Sequence, residues 1–459
     1  MWKVFIIAAA VITTISLYPI LDMDEAWYSS VSLRMAETGD WLIPNFNGEP
    51  FPTKPPLWFW ITGFIFKLFG PSEWSARIGS LIFTLLTAYV LYIWHERRKV
   101  EAHLIYLSSL LPILVACVGR MDAPMVFFLT LAFFLGHRKK WAQAGLSLGL
   151  GILAKGPVVL VIWGISFLIY SILYDKRSVK GIILAGLISL AVGGSWFILL
   201  YMKGMEEVVE HFILHENIER VKSGLEGHTG PIYYYIPVLI LGVIPNLGRF
   251  FKSLSYWSDE KALPYIWFLT TIILFTVAET KLPHYILPAF PALALMMEKE
   301  REGLLDWLSG GILVLLPIFL MYHFREVLPS ELKRGLFMST FSILAIWGLS
   351  FYFKDLRKLY ASFFALSLAI LVLNPFKEFY PHYQAGIFAK ERKLELTARK
   401  EALAPSTVFY YGKDIPVDGK GKWILSYEDE MKGYKVIFQK EGFSLYNGKW
   451  VKLRIFEKE

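Results

Sequence analysis

The sequence predicts a polytopic α-helical membrane protein with about thirteen transmembrane helices and a small C-terminal α/β or β-rich domain. Three observations lead there. Of 459 residues, 55% are hydrophobic and only 19% charged, with mean hydropathy +0.46, and apolar runs of about twenty residues recur along most of the chain. The positive clusters fall on alternate loops. After residue 376 the apolar runs stop and short strand-like segments replace them.

Helix one is read over about 4–21, as an uncleaved first span rather than a signal peptide, because no small-x-small site precedes Asp22. The polar and aromatic stretch 22–75 is too long for a turn. Its Glu25 to Met35 part has amphipathic helical character, five prolines between Pro44 and Pro56 break it, and Leu57 to Phe69 is apolar but only 13 residues long. One outer loop with membrane-hugging helices is the expectation. Further spans are expected over about 76–94, 102–118, 123–136, 142–155, 157–173, 181–202, 231–248, 262–278, 284–298, 308–324, 336–353 and 360–375. This gives a membrane domain over 1–375 and a soluble domain over 376–459, where Thr407 to Tyr411, Lys435 to Phe438 and Trp450 to Phe456 read as strands.

Charge sets the orientation. Arg97-Arg98-Lys99, Arg138-Lys139-Lys140, Lys176-Arg177, Arg249 with Lys252 and Lys261, Lys299 with Arg301, and Lys354 with Arg357-Lys358 all fall on one side if the spans alternate. That side is cytoplasmic by the positive-inside rule, so the N-terminus is cytoplasmic and the C-terminal domain lies outside. The formal charge of +8 therefore reads as topology, and no nucleic-acid partner is expected. The single cysteine, Cys117, excludes a disulfide within the chain and a thiolate metal cluster. No phosphate-loop or dinucleotide glycine motif is present, so a nucleotide is not the expected energy source.

The unusual polar residues gather on the outer side. Asp22, Asp24 and Glu25 crowd the mouth of the first span, where carboxylates are costly. Lys54 sits in Pro52-Thr53-Lys54-Pro55-Pro56, and alone it reads more readily as an interfacial snorkelling lysine. Asp122 in Arg120-Met121-Asp122-Ala123-Pro124 is a candidate acid or a helix cap, and Lys155-Gly156-Pro157 is a tight turn bearing a cation. The loop 203–230 holds His211, His215, Glu216, Arg220 and His228; the two histidines four apart share a helix face, without the flanking pattern of a zinc helix. Glu279-Thr280-Lys281-Leu282-Pro283-His284-Tyr285 completes the set. Acids beside phosphate-type binders, flanking apolar grooves, suit a substrate with a headgroup-level phosphate and a long hydrocarbon tail.

These motifs, in this order, resemble the bacterial GT-C glycosyltransferases of the aminoarabinose-transferase and protein O-mannosyltransferase-like group. The matching pieces are Asp24-Glu25-Ala26-Trp27-Tyr28, Lys54-Pro55-Pro56, Met121-Asp122-Ala123, Ala154-Lys155-Gly156-Pro157, His215 with Arg220, His228 with Pro231 and Tyr233-Tyr234-Tyr235, and Lys281 to Pro288. They span about 1–300. The resemblance implies transfer of a sugar from a polyprenyl phosphate to lipid A or a related glycolipid at the outer face of the bacterial inner membrane, with a protein hydroxyl as the alternative acceptor. A transporter is the rival from another class; its polar groups would sit near mid-membrane rather than at helix ends. Carried over, Asp24 and Asp122 are the catalytic acids. Lys54, Arg220, Tyr285, Lys155 and Lys281 hold the polyprenyl phosphate, and His215, Glu25 and His228 serve the acceptor or a divalent metal ion. Relatives often carry a glutamate before Lys-Pro-Pro, where this chain has Thr53, so no metal set is assigned.

Overall fold

The computed structural model describes residues 2–51, 53–94, 101–219, 229–255, 262–326 and 328–459. Among them, five helices are long and apolar enough to cross a membrane, and six shorter apolar helices of 10–17 residues accompany them. Helix α1 (Trp2–Leu17) leads into α2 (Asp24–Thr38), which starts with two acids in its first turn and stops at Gly39 in the left-handed conformation, φ +74°. An Asn47-Gly48 turn, both residues at positive φ, joins β1 (Asn45–Phe46) to β2 (Glu49–Pro50). Helix α3 (Leu57–Phe69) has the expected bounds, and α4 (Glu73–Ile93) opens on a reciprocal Ser72–Ser75 cap.

The expected span 102–118 is two short helices, α5 (Ala102–Ser108) and α6 (Leu110–Ala116), parted where Ser109 turns extended and the Leu110 amide donates to the Ile244 carbonyl, 3.0 Å away. Helices α7 (Asp122–His137), α8 (Trp141–Lys155), α9 (Val158–Tyr174) and α10 (Val179–Met202) follow the expected runs closely. Small residues let α8 and α10 approach: a Cβ on Gly149 would lie 2.5 Å from Val192. Later runs are broken more than apolarity suggests. The 231–248 run is two helices, Tyr235–Gly242 and Leu247–Leu254, and the 284–298 run begins as a tight 3-10 turn, Pro283–Ala289, before Phe290–Met297. Prolines 245, 283 and 288 supply no amide hydrogen at these breaks.

One end of the bundle collects the basic loops. Lys3 pairs with Asp355, Lys358 with Glu101, and Arg249 with Glu101 and Glu302. The opposite end carries the C-terminal sheet domain. There Pro381–Glu391 packs on a four-stranded sheet in the order β3 (Leu396–Ala398), β4 (Trp423–Ser426), β6 (Lys449–Lys458), β5 (Tyr434–Ser444), with only the β3–β4 pair parallel. The strands expected at 435–438 and 450–456 are present inside β5 and β6.

The strand expected at 407–411 is instead a helix, Pro405–Tyr411, with proline in its first turn and Gly412 at φ +79° as its stop. The reason is its position. Val408 and Tyr411 pack into the sheet-domain core, whereas Phe409 and Tyr410 pack against Leu33, Phe66 and Ala76 of the bundle. A segment buried between two layers is apolar on every face, and periodicity then cannot separate helix from strand.

The sheet domain also buries His382. Its ring nitrogens meet Thr407 Oγ1 at 3.1 Å, Ser444 Oγ at 3.2 Å and Tyr427 Oη at 2.9 Å. Burial holds this imidazole down at about 3, against an ordinary value of 6.5. Because the folded value is the lower one, unfolded chains take up the proton first. The stability that His382 supports is therefore whole above about 6.5 and is lost as pH falls toward 3, by up to about 1.4 kcal/mol per pH unit. Thermal melting of the intact chain in detergent between pH 7 and pH 4.5 should show this loss, and His382→Gln should flatten it.

Candidate functional site

The three carboxylates at the end of the first span point three ways. Glu25 turns into the bundle and is gripped by Arg77 of α4, with Nε to Oε1 at 2.7 Å and Nη2 to Oε2 at 2.8 Å. The remaining Arg77 hydrogens go to the carbonyls of Ile15, Tyr18 and Pro19 at 2.7–2.9 Å, so all five donors are used. Glu25 also accepts from the Gly119 amide at 2.7 Å and the Leu21 amide at 3.0 Å. Burial raises the Glu25 carboxyl's pKa, but Arg77 and these amides outweigh it and hold the group below its usual range. Asp22 turns toward the sheet domain. All three border the cavity beside α2, and Asp24 is the one whose carboxylate pairs with Arg120 there.

That cavity, of about 1000 Å³, is lined by Asp24, Lys54, Arg120, Asp122, Lys155, Glu216, His284 and Tyr285, and by apolar side chains from α6, α9 and Ala262–Val277. Local structure sets each polar group. The turn before α7 is pinned by Ser80, which accepts from the Arg120 amide at 3.1 Å and donates to its carbonyl at 3.2 Å. Gly156 takes φ +117°, with Phe212 packed 3.0 Å from where a Cβ would sit, so the Lys155-Gly156-Pro157 turn closes tightly and aims Lys155 back at α7. Prolines 55 and 56 start α3 directly after Lys54.

The charged groups form a chain. Arg120 Nη2 pairs with Asp24 Oδ2 and lies 3.0 Å from His284 Nε2, while its Nε is 3.5 Å from Asp122 Oδ2. Asp122, 1% exposed, also pairs with Lys155, whose Nζ sits 5.0 Å from the centre of the Tyr285 ring. Lys54 donates to Glu216 Oε2 at 2.6 Å and to the Thr53 carbonyl at 2.8 Å. Three cations and three carboxylates therefore face one another. The cations are held in place at the mouth of an apolar cavity, an arrangement able to receive an anionic headgroup and its tail.

Of the residues singled out from sequence, Asp24, Asp122, Lys54, Lys155 and Tyr285 meet in this cavity. Glu25 also borders the cavity, with both its oxygens held by Arg77 and backbone amides. Lys281 is buried away from the lining and donates to the Ala278 carbonyl at 2.7 Å. Arg220 and His228 lie outside the described residues. Arg120, Glu216 and His284 join the site without having been assigned a role. For Arg120 the signal was present, a guanidinium in a four-residue loop between two spans beside the candidate acid.

His215 lies on a π-helical stretch, His211–Glu219, with its ring stacked on His211 at 4.7 Å and its Nδ1 3.7 Å from Glu216 Oε1. Donor atoms of His211, His215 and Glu216 lie within 4.8 Å of one another. Two imidazoles and a carboxylate suit a divalent cation such as zinc in ligand type, and the Glu216 oxygen facing the histidines is not the one that holds Lys54.

Asp122 has almost no water to solvate it, so its charge depends on Lys155 and, at longer range, Arg120. Lys155→Ala should destabilise the chain by about 3–5 kcal/mol, because one partner of a buried pair is left alone. Adding Asp122→Ala should restore part of that loss. Melting of the two variants and of Asp122→Ala closes the cycle.

Comparison with known proteins agrees with the geometry. The family described as dolichyl-phosphate-mannose-protein mannosyltransferase matches residues 53–197. An undecaprenyl phosphate-alpha-4-amino-4-deoxy-L-arabinose arabinosyl transferase of Photorhabdus laumondii is 28% identical over 393 residues, covering 76% of this chain and 71% of its own. The protein so named in Aeromonas hydrophila is 28% identical over 371 residues, covering 72% and 68%. That of Yersinia enterocolitica is 32% identical over 302 residues, covering 60% and 54%. The crystal structure of ArnT from Cupriavidus metallidurans bound to undecaprenyl phosphate superposes with TM-score 0.79 and 18% identity over 99% of this chain and 98% of that one. By sequence the chain is similar to the aminoarabinose transferases, and its fold is that of the ArnT crystal structure, with the ordered motifs converging on one cavity.

Proposed function

We propose that the chain moves a sugar from a polyprenyl phosphate carrier, undecaprenyl phosphate in the named relatives, to lipid A or a related glycolipid. The observation that carries this is the linked cluster Asp24–Arg120–Asp122–Lys155 at the mouth of a largely apolar cavity. A phosphate-bearing headgroup fits among its cations, and a prenyl tail fits the apolar wall. The positive-inside pattern supports a bacterial inner-membrane protein with a cytoplasmic N-terminus, and a 376–459 domain and cavity on the periplasmic side of a 1–375 membrane domain.

In the reaction the bond between the sugar's anomeric carbon and the carrier phosphate breaks, and the acceptor oxygen takes that carbon. Polyprenyl phosphate departs with one more negative charge. Lys54, Lys155 and Tyr285, with Arg220 by family resemblance, stabilise the charge that grows on it. Asp24 faces the sugar ring, where positive charge develops. With a phosphate as acceptor no proton need be removed, so Asp24 orients the acceptor and stabilises that charge. With a hydroxyl acceptor it takes the proton as general base. Arg120 fixes Asp24 relative to Asp122 through their shared guanidinium. His211, His215 and Glu216 would hold a divalent ion, which would add a further positive charge beside the phosphate site.

The match to a protein mannosyltransferase family supports a second reading, with the same donor class and a protein hydroxyl as acceptor. Mass spectrometry separates the two. Lipid A from cells expressing the intact chain should carry one added sugar that is missing from cells expressing Asp24→Asn, and its mass names the sugar. Identical lipid A, with both proteins present in the membrane, sends the assignment to secreted glycoproteins. In either assay Lys155→Ala should lower kcat by about 100- to 1000-fold, the scale for removing one donor to developing charge.

A further inference from the structure

The acid loop is held from two sides, and one side is the last segment of the chain. Asp22 Oδ2 accepts from Tyr380 Oη at 2.5 Å and from Ser406 Oγ at 2.7 Å, and Oδ1 accepts from the Ser406 amide at 2.8 Å. Its own amide donates to Tyr380 Oη at 3.2 Å, and the Ile20 amide donates to Tyr410 Oη at 2.6 Å. Burial pushes the Asp22 carboxyl up to about 6 in spite of the Tyr380 and Ser406 bonds. Only Met23 separates this residue from Asp24.

The same polar network reaches the cavity by a second route. Thr407 follows Ser406, and His382 lies two positions after Tyr380. His382 bridges Thr407 to Ser444 and Tyr427, and Tyr427 Oη accepts from Asn447 Nδ2 at 2.7 Å. Ser444 and Asn447 bracket Leu445, which joins β5 to β6 and lines the cavity with Asp24. The sheet domain therefore touches the site at two points, the loop that carries the acid and a hairpin tip in the wall.

We propose that Asp22 is a positioning residue, which ties the Asp24 loop to the sheet domain so that Asp24 and Leu445 hold a fixed relation across the cavity. This rests on the sugar-transfer reading above. The rival is plain adhesion between domains, and the structure offers a control for it. Asn47 of the β1–β2 turn also joins the two parts, accepting from the Ile415 amide at 2.6 Å and donating to the Ile415 carbonyl at 2.9 Å, yet it does not line the cavity.

The experiment compares Tyr380→Phe, Ser406→Ala and Asn47→Ala in the full-length protein, with purified undecaprenyl-phosphate-linked aminoarabinose and lipid A. Tyr380→Phe and Ser406→Ala should each lower kcat by about ten-fold, one decade for the loss of one hydrogen bond to a carboxylate. Donor KM should stay within about two-fold for interactions expressed in the transition state. Asn47→Ala should match their loss of thermal stability while keeping kcat. Leu445→Ala, which leaves the Asp22 bonds intact, should raise KM for the acceptor. Equal loss of kcat in Asn47→Ala, or unchanged kcat in both Tyr380→Phe and Ser406→Ala, overturns the proposal. Hydrogen exchange of the peptide around 18–28 supplies a readout that needs no activity. Its exchange should rise in Tyr380→Phe and Ser406→Ala and stay level in Asn47→Ala, and a level signal in all three also overturns it. A wild-type chain that transfers nothing in this assay, with exchange behaving as expected, rejects the substrate reading and leaves the positioning role standing.

Discussion

Arg77 stands in the second turn of α4 with no solvent exposure, and every hydrogen it can donate is received. Removing water from a guanidinium is costly, and the cost is offset only when each donor has a partner and a carboxylate balances the charge. Here Glu25 is that carboxylate, and three carbonyls at the end of the first helix take the other donors. The arrangement has little freedom, because a fork of five donors fits one geometry. It fixes the end of α1, the start of α2 and, through Gly119 and Ser80, the turn that bears Arg120 and Asp122. The loop that bears Asp24 is thus suspended from a buried ion pair.

The site inherits two properties from that suspension. Its acids come from elements that cannot shift independently, so the separation of Asp24 and Asp122 is set by the bundle and bridged by one arginine. Its cations begin with carboxylate partners rather than with open charge. Burying unpaired cations at a membrane surface would be expensive. Pairing them offsets that cost.

Much of this was legible in the sequence. Proline pairs, short loops and acids at span ends carry local physical meaning, which is why Asp24, Lys54, Asp122, Lys155 and Tyr285 could be read as one set. The bounds of α3 and the strands β5 and β6 follow from length and composition. Other features have no local signal. Asp22, Asp24 and Glu25 look alike as a cluster, and only the turn of the chain at the start of α2 sends them to three different partners. The helix Pro405–Tyr411 reads as a strand because it is buried on both sides. Glu216 beside Lys54 joins positions 162 residues apart, and nothing at either position announces the other.

The helix shared between the two layers has a consequence for the order of assembly. Ser406 and Tyr410 are made nearly four hundred residues after the loop they complete. The bundle can enter the membrane as it is synthesised, helix by helix, but the acid loop lacks its partners until the end of the chain emerges and folds. In a newly made chain the Asp22 loop gains its contacts with Ser406 and Tyr410 late, once the sheet domain has formed and settled on the bundle.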